Sequence, residues 1–141
     1  MKRDVRLRDL SDDHHSALVL ARRARNAGAY AHAVKQDEVW RAVASAFAQD
    51  LAPHFAIEEQ LLLPALEGVG EGALAERVRT EHGCLRALLD DLRPLDVRLS
   101  EFGALLRDHV RFEERELFPV AQQKVPGAVL DAVALACRAA R

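Results

Sequence analysis

HFAIEEQLLLP, residues 54–64, and HVRFEERELFP, residues 109–119, carry the same letters at the same offsets. From the histidine, each has glutamates four and five residues on, a leucine eight on and a proline ten on. Residues four apart share one face of a helix, one turn apart. Ahead of the first copy, Trp40, Val43, Phe47 and Leu51 step by three or four, and His54, Glu58 and Leu62 continue that stripe. Ahead of the second, Leu99, Phe102 and Leu106 lead into His109, Glu113 and Leu117. A third stripe is Leu74, Val78, His82, Leu85 and Leu89. Each reads as the core-facing side of an amphipathic helix, and each carries ionisable residues midway along it.

Outward from these stripes the chain reads as all-α. Its common residues are strong helix formers, and no Asn-Gly or Asp-Gly hairpin signal occurs. The first helix is expected from a cap at Ser11 or Asp12 to about Gly28, and the second over roughly Gln36 to Leu63. Pro53 should kink the second helix just before His54, and Pro64 should help end it. The third is expected from about Ala73 to Leu92, and the fourth from about Asp96 to Phe118 or Lys124. A short helix after Pro126 closes the chain, with an apolar face for the bundle or for a partner. Short turns between long helices predict an antiparallel up-down-up-down four-helix bundle with an additional C-terminal helix. The 141 residues suit a single domain, with its core over about 10–124 and the last helix over about 126–140.

Ionisable residues on core-facing stripes need partners, because an unpaired buried charge costs several kcal/mol. Two His-x-x-x-Glu pairs on two helices would converge inside a bundle, with one further histidine from each of the other two. On the first helix Asp13-His14 echoes Glu81-His82, and His14 lies nearer the side of Leu10, Ala17 and Ala21. His15 falls in the sector of Arg22, Arg23 and Asn26, so His14 is the expected inward residue. Four imidazoles and two carboxylates suit a pair of borderline transition-metal ions. The candidate metal ligands are therefore His14, His54, Glu58, His82, His109 and Glu113. One His-x-x-x-Glu alone is usually a surface ion pair; two on apolar stripes argue for more.

Other residues carry plainer readings. Glu59 and Glu114, rotated about 100° from their neighbours, read as solvated acids, with a role beside the metal ligands as the lesser reading. Cys84 reads as a small core residue, and His32 and the run Arg22, Arg23, Arg25 as solvated. Arg86 lies one turn after His82 on its side, within reach of Glu59 or Glu114.

The formal net charge is −2 and the pI about 6.3, which offers no basic field for nucleic acid. No apolar run approaches a membrane span, and no apolar segment follows the charged N-terminus as in a secretory signal. Two cysteines are too few for a disulfide framework, so a cytoplasmic protein is the default expectation.

His14, His54-x-x-x-Glu58, His82 and His109-x-x-x-Glu113, in that order, resemble the hemerythrin-like, or HHE cation-binding, domain. The likeness spans about Leu10 to Lys124. It implies a four-helix bundle around a non-haem di-iron centre, two iron ions joined by an oxo or hydroxo bridge. Glu58 and Glu113 would bridge the metals, with the four histidines as terminal ligands; other divalent transition metals would suit the same donors. Oxygen-carrying hemerythrins have a second histidine one turn after that of the third helix, where this chain has Arg86, and they space the last histidine and acid by five instead of four. The difference points away from simple oxygen transport. Ligand arithmetic leaves an open position on both ions, which suits dioxygen, nitric oxide or peroxide as ligands.

Three functions follow from these readings. The first is a binding or sensing protein for such a ligand or for iron itself. The second is a di-iron redox enzyme, although no separate acid, base or substrate pocket is legible and no catalytic residue stands out. The third is a metal-free helical interaction bundle. A protein partner or homo-oligomer is left open by the sequence.

Overall fold

The computed structural model describes residues 2–141. Asp4 caps a short turn, Val5–Leu7, by accepting a hydrogen bond from the Arg6 backbone N–H at 2.9 Å. Helix α1, Arg8–Tyr30, follows directly. It starts earlier than its sequence predicts, because Asp4 sets the first turn and buried Leu7 and Leu10 anchor it. Helix α2 covers residues 33–68, α3 is Gly72–Leu89, α4 covers residues 95–124 and α5 is Gly127–Ala139. No strand occurs among the described residues, and the bundle has the predicted all-α architecture.

Prolines shape α2 and α4 without ending them. Each helix continues through π-helical turns: Phe47–Leu51 and Glu58–Leu62 in α2, Glu113–Leu117 in α4. In each the closing bond spans five residues, as from Leu63 N–H to the Glu58 carbonyl. Pro53, Pro64 and Pro119 each stand two residues past the end of such a turn. A proline ring clashes with the carbonyl four residues back in a regular helix, and a widened turn relieves the clash. The break expected at Pro53 is thus a π turn. Pro64 does not end α2, which runs on to the turn where Gly70 adopts φ +84°. Helix α3 stops short of Leu92 because the Asp91 carboxylate accepts from the Arg93 backbone N–H at 2.8 Å, closing a turn ahead of Pro94.

Helices α1 and α4 run antiparallel and pack most extensively. Ala17, Ala21 and Ala24 line this side of α1. A Cβ on Gly28 would lie 2.9 Å from the Asp96 carbonyl oxygen; on Gly103 it would lie 2.5 Å from that of Ala21. Gly28 therefore serves close approach and does not terminate α1. Arg25 is not solvated as expected: its stem lies against Gly103 and its Nε is buried.

Two apolar clusters fill the bundle. One gathers Phe47, Phe55, Leu85, Leu99, Phe102 and Leu106. The other gathers Leu10, Leu62, Leu66, Val78, Leu117 and Phe118 beneath α5, whose Leu130, Val133 and Cys137 face it. The apolar face of α5 thus packs on the bundle of its own chain. Between the clusters lies a polar layer.

Candidate metal centre

That layer consists of His14 from α1, His54 and Glu58 from α2, His82 from α3, and His109 and Glu113 from α4. The most exposed of them is His14, at 4 %, and both glutamates are fully buried. The helical stripes explain the convergence: each residue continues an apolar row, with Leu10 and Ala17 around His14, and Val78 and Leu85 around His82. His15 is exposed, as its place on the helix predicts.

The donor atoms fall into two sets. His14, His54, Glu58 and Glu113 each place one ligand atom within 4.8 Å of the others, and so do Glu58, His82, His109 and Glu113. Both carboxylates belong to both sets. His14 Nε2 lies 2.9 Å from Glu113 Oε1. The other inward contacts are longer: His54 Nε2 to Glu58 Oε2 3.4 Å, His82 Nε2 to Glu58 Oε1 3.2 Å, and His109 Nε2 to Glu113 Oε2 3.3 Å. These three contacts are ion pairs that do not meet hydrogen-bond geometry. His54 Nε2, His82 Nε2, His109 Nε2, both Glu58 oxygens and Glu113 Oε2 are buried without a hydrogen-bond partner. Buried polar atoms are nearly always paired. Six orphaned nitrogen and oxygen atoms facing one another, of the types that bind borderline cations, fit a metal site.

The outward nitrogens are all paired. Nδ1 of His14 meets Glu114 at 2.9 Å, that of His54 meets Asp13 at 3.1 Å, that of His82 meets Glu59 at 2.7 Å and that of His109 meets Glu81 at 2.7 Å. Glu59 and Glu114 are therefore not the solvated acids expected. Each follows an inward glutamate by one residue and reaches the histidine of a neighbouring helix. Asp13 and Glu81 have roles that the helical stripes do not reveal; their adjacency to His14 and His82 is the signal in the sequence. Arg86 pairs with Glu59 at 2.9 and 3.0 Å and does not enter the centre. Cys84 is exposed instead of buried, since two residues past His82 it points to the far side of α3.

Aromatic rings close the layer. Phe55 stacks on His82 at 3.7 Å between centroids, and Phe118 lies parallel to His14 at 5.4 Å. Without a metal, His54, His109 and Glu113 favour one another's charged forms. Burial opposes charge on His54, but Glu58, Asp13 and Glu113 outweigh it and hold the imidazole well above its ordinary range. Burial likewise opposes charge on His109, yet Glu113 and Glu81 push it up to about 10. Burial would raise Glu113, but His109, His14 and His54 hold it well below the usual carboxylate range.

The family model described as the hemerythrin HHE cation binding domain matches residues 5–121. No curated protein and no solved structure matches the chain. The matched span contains all six inward residues and leaves out α5. A buried histidine–glutamate cluster on four antiparallel helices fits a metal-binding protein, and the chain belongs to the hemerythrin HHE cation-binding family.

Proposed function

We propose that the protein holds two iron ions in a non-haem centre and binds or senses a small ligand such as dioxygen, nitric oxide or peroxide, or iron itself. The observation that carries this reading is the set of orphaned inward atoms, divided into two groups that share Glu58 and Glu113. Those glutamates would bridge the ions. His14 and His54 would complete one half-site, His82 and His109 the other. Bound iron would supply open coordination positions and one-electron redox chemistry. Phe55, Phe118 and the two apolar clusters keep bulk water from the layer.

The test is anaerobic reconstitution with ferrous iron, exposure to air, elemental analysis and an absorption spectrum. The expected result is close to two irons per chain with new near-ultraviolet charge-transfer bands. Metal that binds the folded form alone also raises its melting temperature. No retained iron and unchanged melting would sink the reading.

A redox enzyme is the second reading. A cleft of about 360 Å³ beside His54, bordered by Asp13, Ser16, Gln49, Asp50 and Cys137, offers room for a small reactant. Turnover of peroxide or nitric oxide that stops in Glu58→Ala supports this reading; no turnover by the iron-loaded protein removes it. A metal-free interaction bundle leaves the orphaned atoms unexplained.

A further inference from the structure

Each of the four helices supplies one inward histidine and one carboxylate that holds a histidine of another helix. Asp13 of α1 holds His54 of α2; Glu59 of α2 holds His82 of α3; Glu81 of α3 holds His109 of α4; Glu114 of α4 holds His14 of α1. The contacts run once round the bundle in chain order and close on themselves. The sequence positions explain the single sense of rotation. On α1 and α3 the acid immediately precedes the histidine; on α2 and α4, which run the other way, it follows by five. One step back is about 100° one way, and five forward is a net rotation of about 140° in the opposite sense. Reversing the helix reverses that sense again, so every acid leans toward the next histidine.

Each carboxylate is also tied to an arginine. Asp13 pairs with Arg141 at 3.0 Å, Glu59 with Arg86 at 2.9 Å, Glu81 with Arg77 at 3.1 Å and Glu114 with Arg3 at 3.7 Å. Ser11 Oγ adds a hydrogen bond to Glu114 at 2.8 Å. An ionised carboxylate only accepts hydrogen bonds, so the facing Nδ1 must donate. That fixes the imidazole plane and leaves the Nε2 lone pair for the interior. Arg141 lies beyond the family match, just after α5, so the C-terminal segment also reaches the centre through Asp13 and His54.

We infer that Asp13, Glu59, Glu81 and Glu114 are positioning residues forming a closed ring that sets tautomer and orientation of all four metal-facing histidines. The inference rests on the metal-centre reading. It divides by half-site: Asp13 and Glu114 support His54 and His14, while Glu59 and Glu81 support His82 and His109.

The test compares Glu59→Ala and Glu59→Gln with the unaltered protein, using ferrous iron in competition with a chelator and zinc for nitrogen NMR of the imidazoles. Loss of such a partner commonly weakens metal binding about 10- to 100-fold. Glu59→Ala should show that loss and a changed His82 Nδ1–H signal, with those of His14 and His54 unmoved. Glu59→Gln, whose amide oxygen still accepts from Nδ1, should recover much of the affinity and the signal. Equal iron affinity in all three proteins overturns the ring while leaving the metal reading intact. No iron binding by the unaltered protein overturns both. Glu81→Ala, read at His109, serves if Glu59→Ala does not fold.

Discussion

The two inward glutamates differ in a way that stability measurements resolve. In the metal-free protein Glu113 touches three histidines: His14 at 2.9 Å in a hydrogen bond, His109 at 3.3 Å and His54 at 3.9 Å. Glu58 touches two, His82 at 3.2 Å and His54 at 3.4 Å, neither in hydrogen-bond geometry. Glu113→Gln keeps the volume, removes the charge and turns an amide N–H₂ toward one of the imidazoles. Breaking a buried ion pair by removing one partner costs about 3–5 kcal/mol. Glu58→Gln also breaks a buried ion pair, with His54, but loses no hydrogen bond and removes the charge from two histidines instead of three, so its cost falls at the low end, about 3 kcal/mol. For a chain of this length one kcal/mol shifts Tm by about 4 °C. Glu113→Gln should then melt about 16–20 °C lower at pH 7 in chelator, and Glu58→Gln about 12 °C lower. With excess iron the two should converge, because each removes a carboxylate common to both half-sites. Equal metal-free shifts, or the larger one at Glu58, would refute the assignment of the stronger contacts to Glu113.

Other outcomes are expected. Burial lowers the His109 pKa less than Glu113 and Glu81 raise it, to about 10, against about 6.5 when unfolded. A raised pKa gives stability that is full below pH 6.5 and lost as pH climbs to 10, so urea midpoints of the metal-free protein should fall between pH 7 and 9.5; a rise would contradict the assigned charges. Metal uptake near pH 7 should release protons, measurable in a weakly buffered titration. Gly103→Ala places a Cβ 2.5 Å from the Ala21 carbonyl oxygen, so it should cost about 1–3 kcal/mol by forcing α1 from α4, seen as a lower Tm. A thiol reagent should modify exposed Cys84 quickly and buried Cys137 only on unfolding, giving one fast equivalent; two fast equivalents would mean α5 is not docked as described.

Much of this was legible in the primary structure, for specific reasons. The doubled His-x-x-x-Glu-Glu lay on apolar stripes, so regular helix geometry was enough to bring six residues together and to prefer His14 over His15. What escaped were departures from that geometry and contacts between helices. Glu59 and Glu114 read as solvated because a 100° step leaves the core-facing stripe, yet each reaches a histidine on a neighbouring helix. Pro64 looked like a stop because a proline two residues behind a π turn is tolerated within a continuous helix. Gly28 looked like a helix end when its role lies in the packing of α1 against α4. Asp13 and Glu81 carried a signal, an acid beside a stripe histidine, but their partners sit on other helices and sequence spacing does not give that distance.

The pairing of each π turn with a following proline has one more consequence. An extra residue in a helix is a dislocation, and a dislocation can slide, since each neighbouring turn can in principle take it up. Sliding past Pro64 or Pro119 would return the proline to a regular α turn, where its ring meets the carbonyl four residues back. The prolines thus act as stops that hold the dislocation at one place. The turns begin at Glu58 and Glu113, so what is pinned is the angular phase of the two carboxylates common to both half-sites. A centre whose geometry depends on two helices keeping step is held in step by residues that touch none of its ligand atoms.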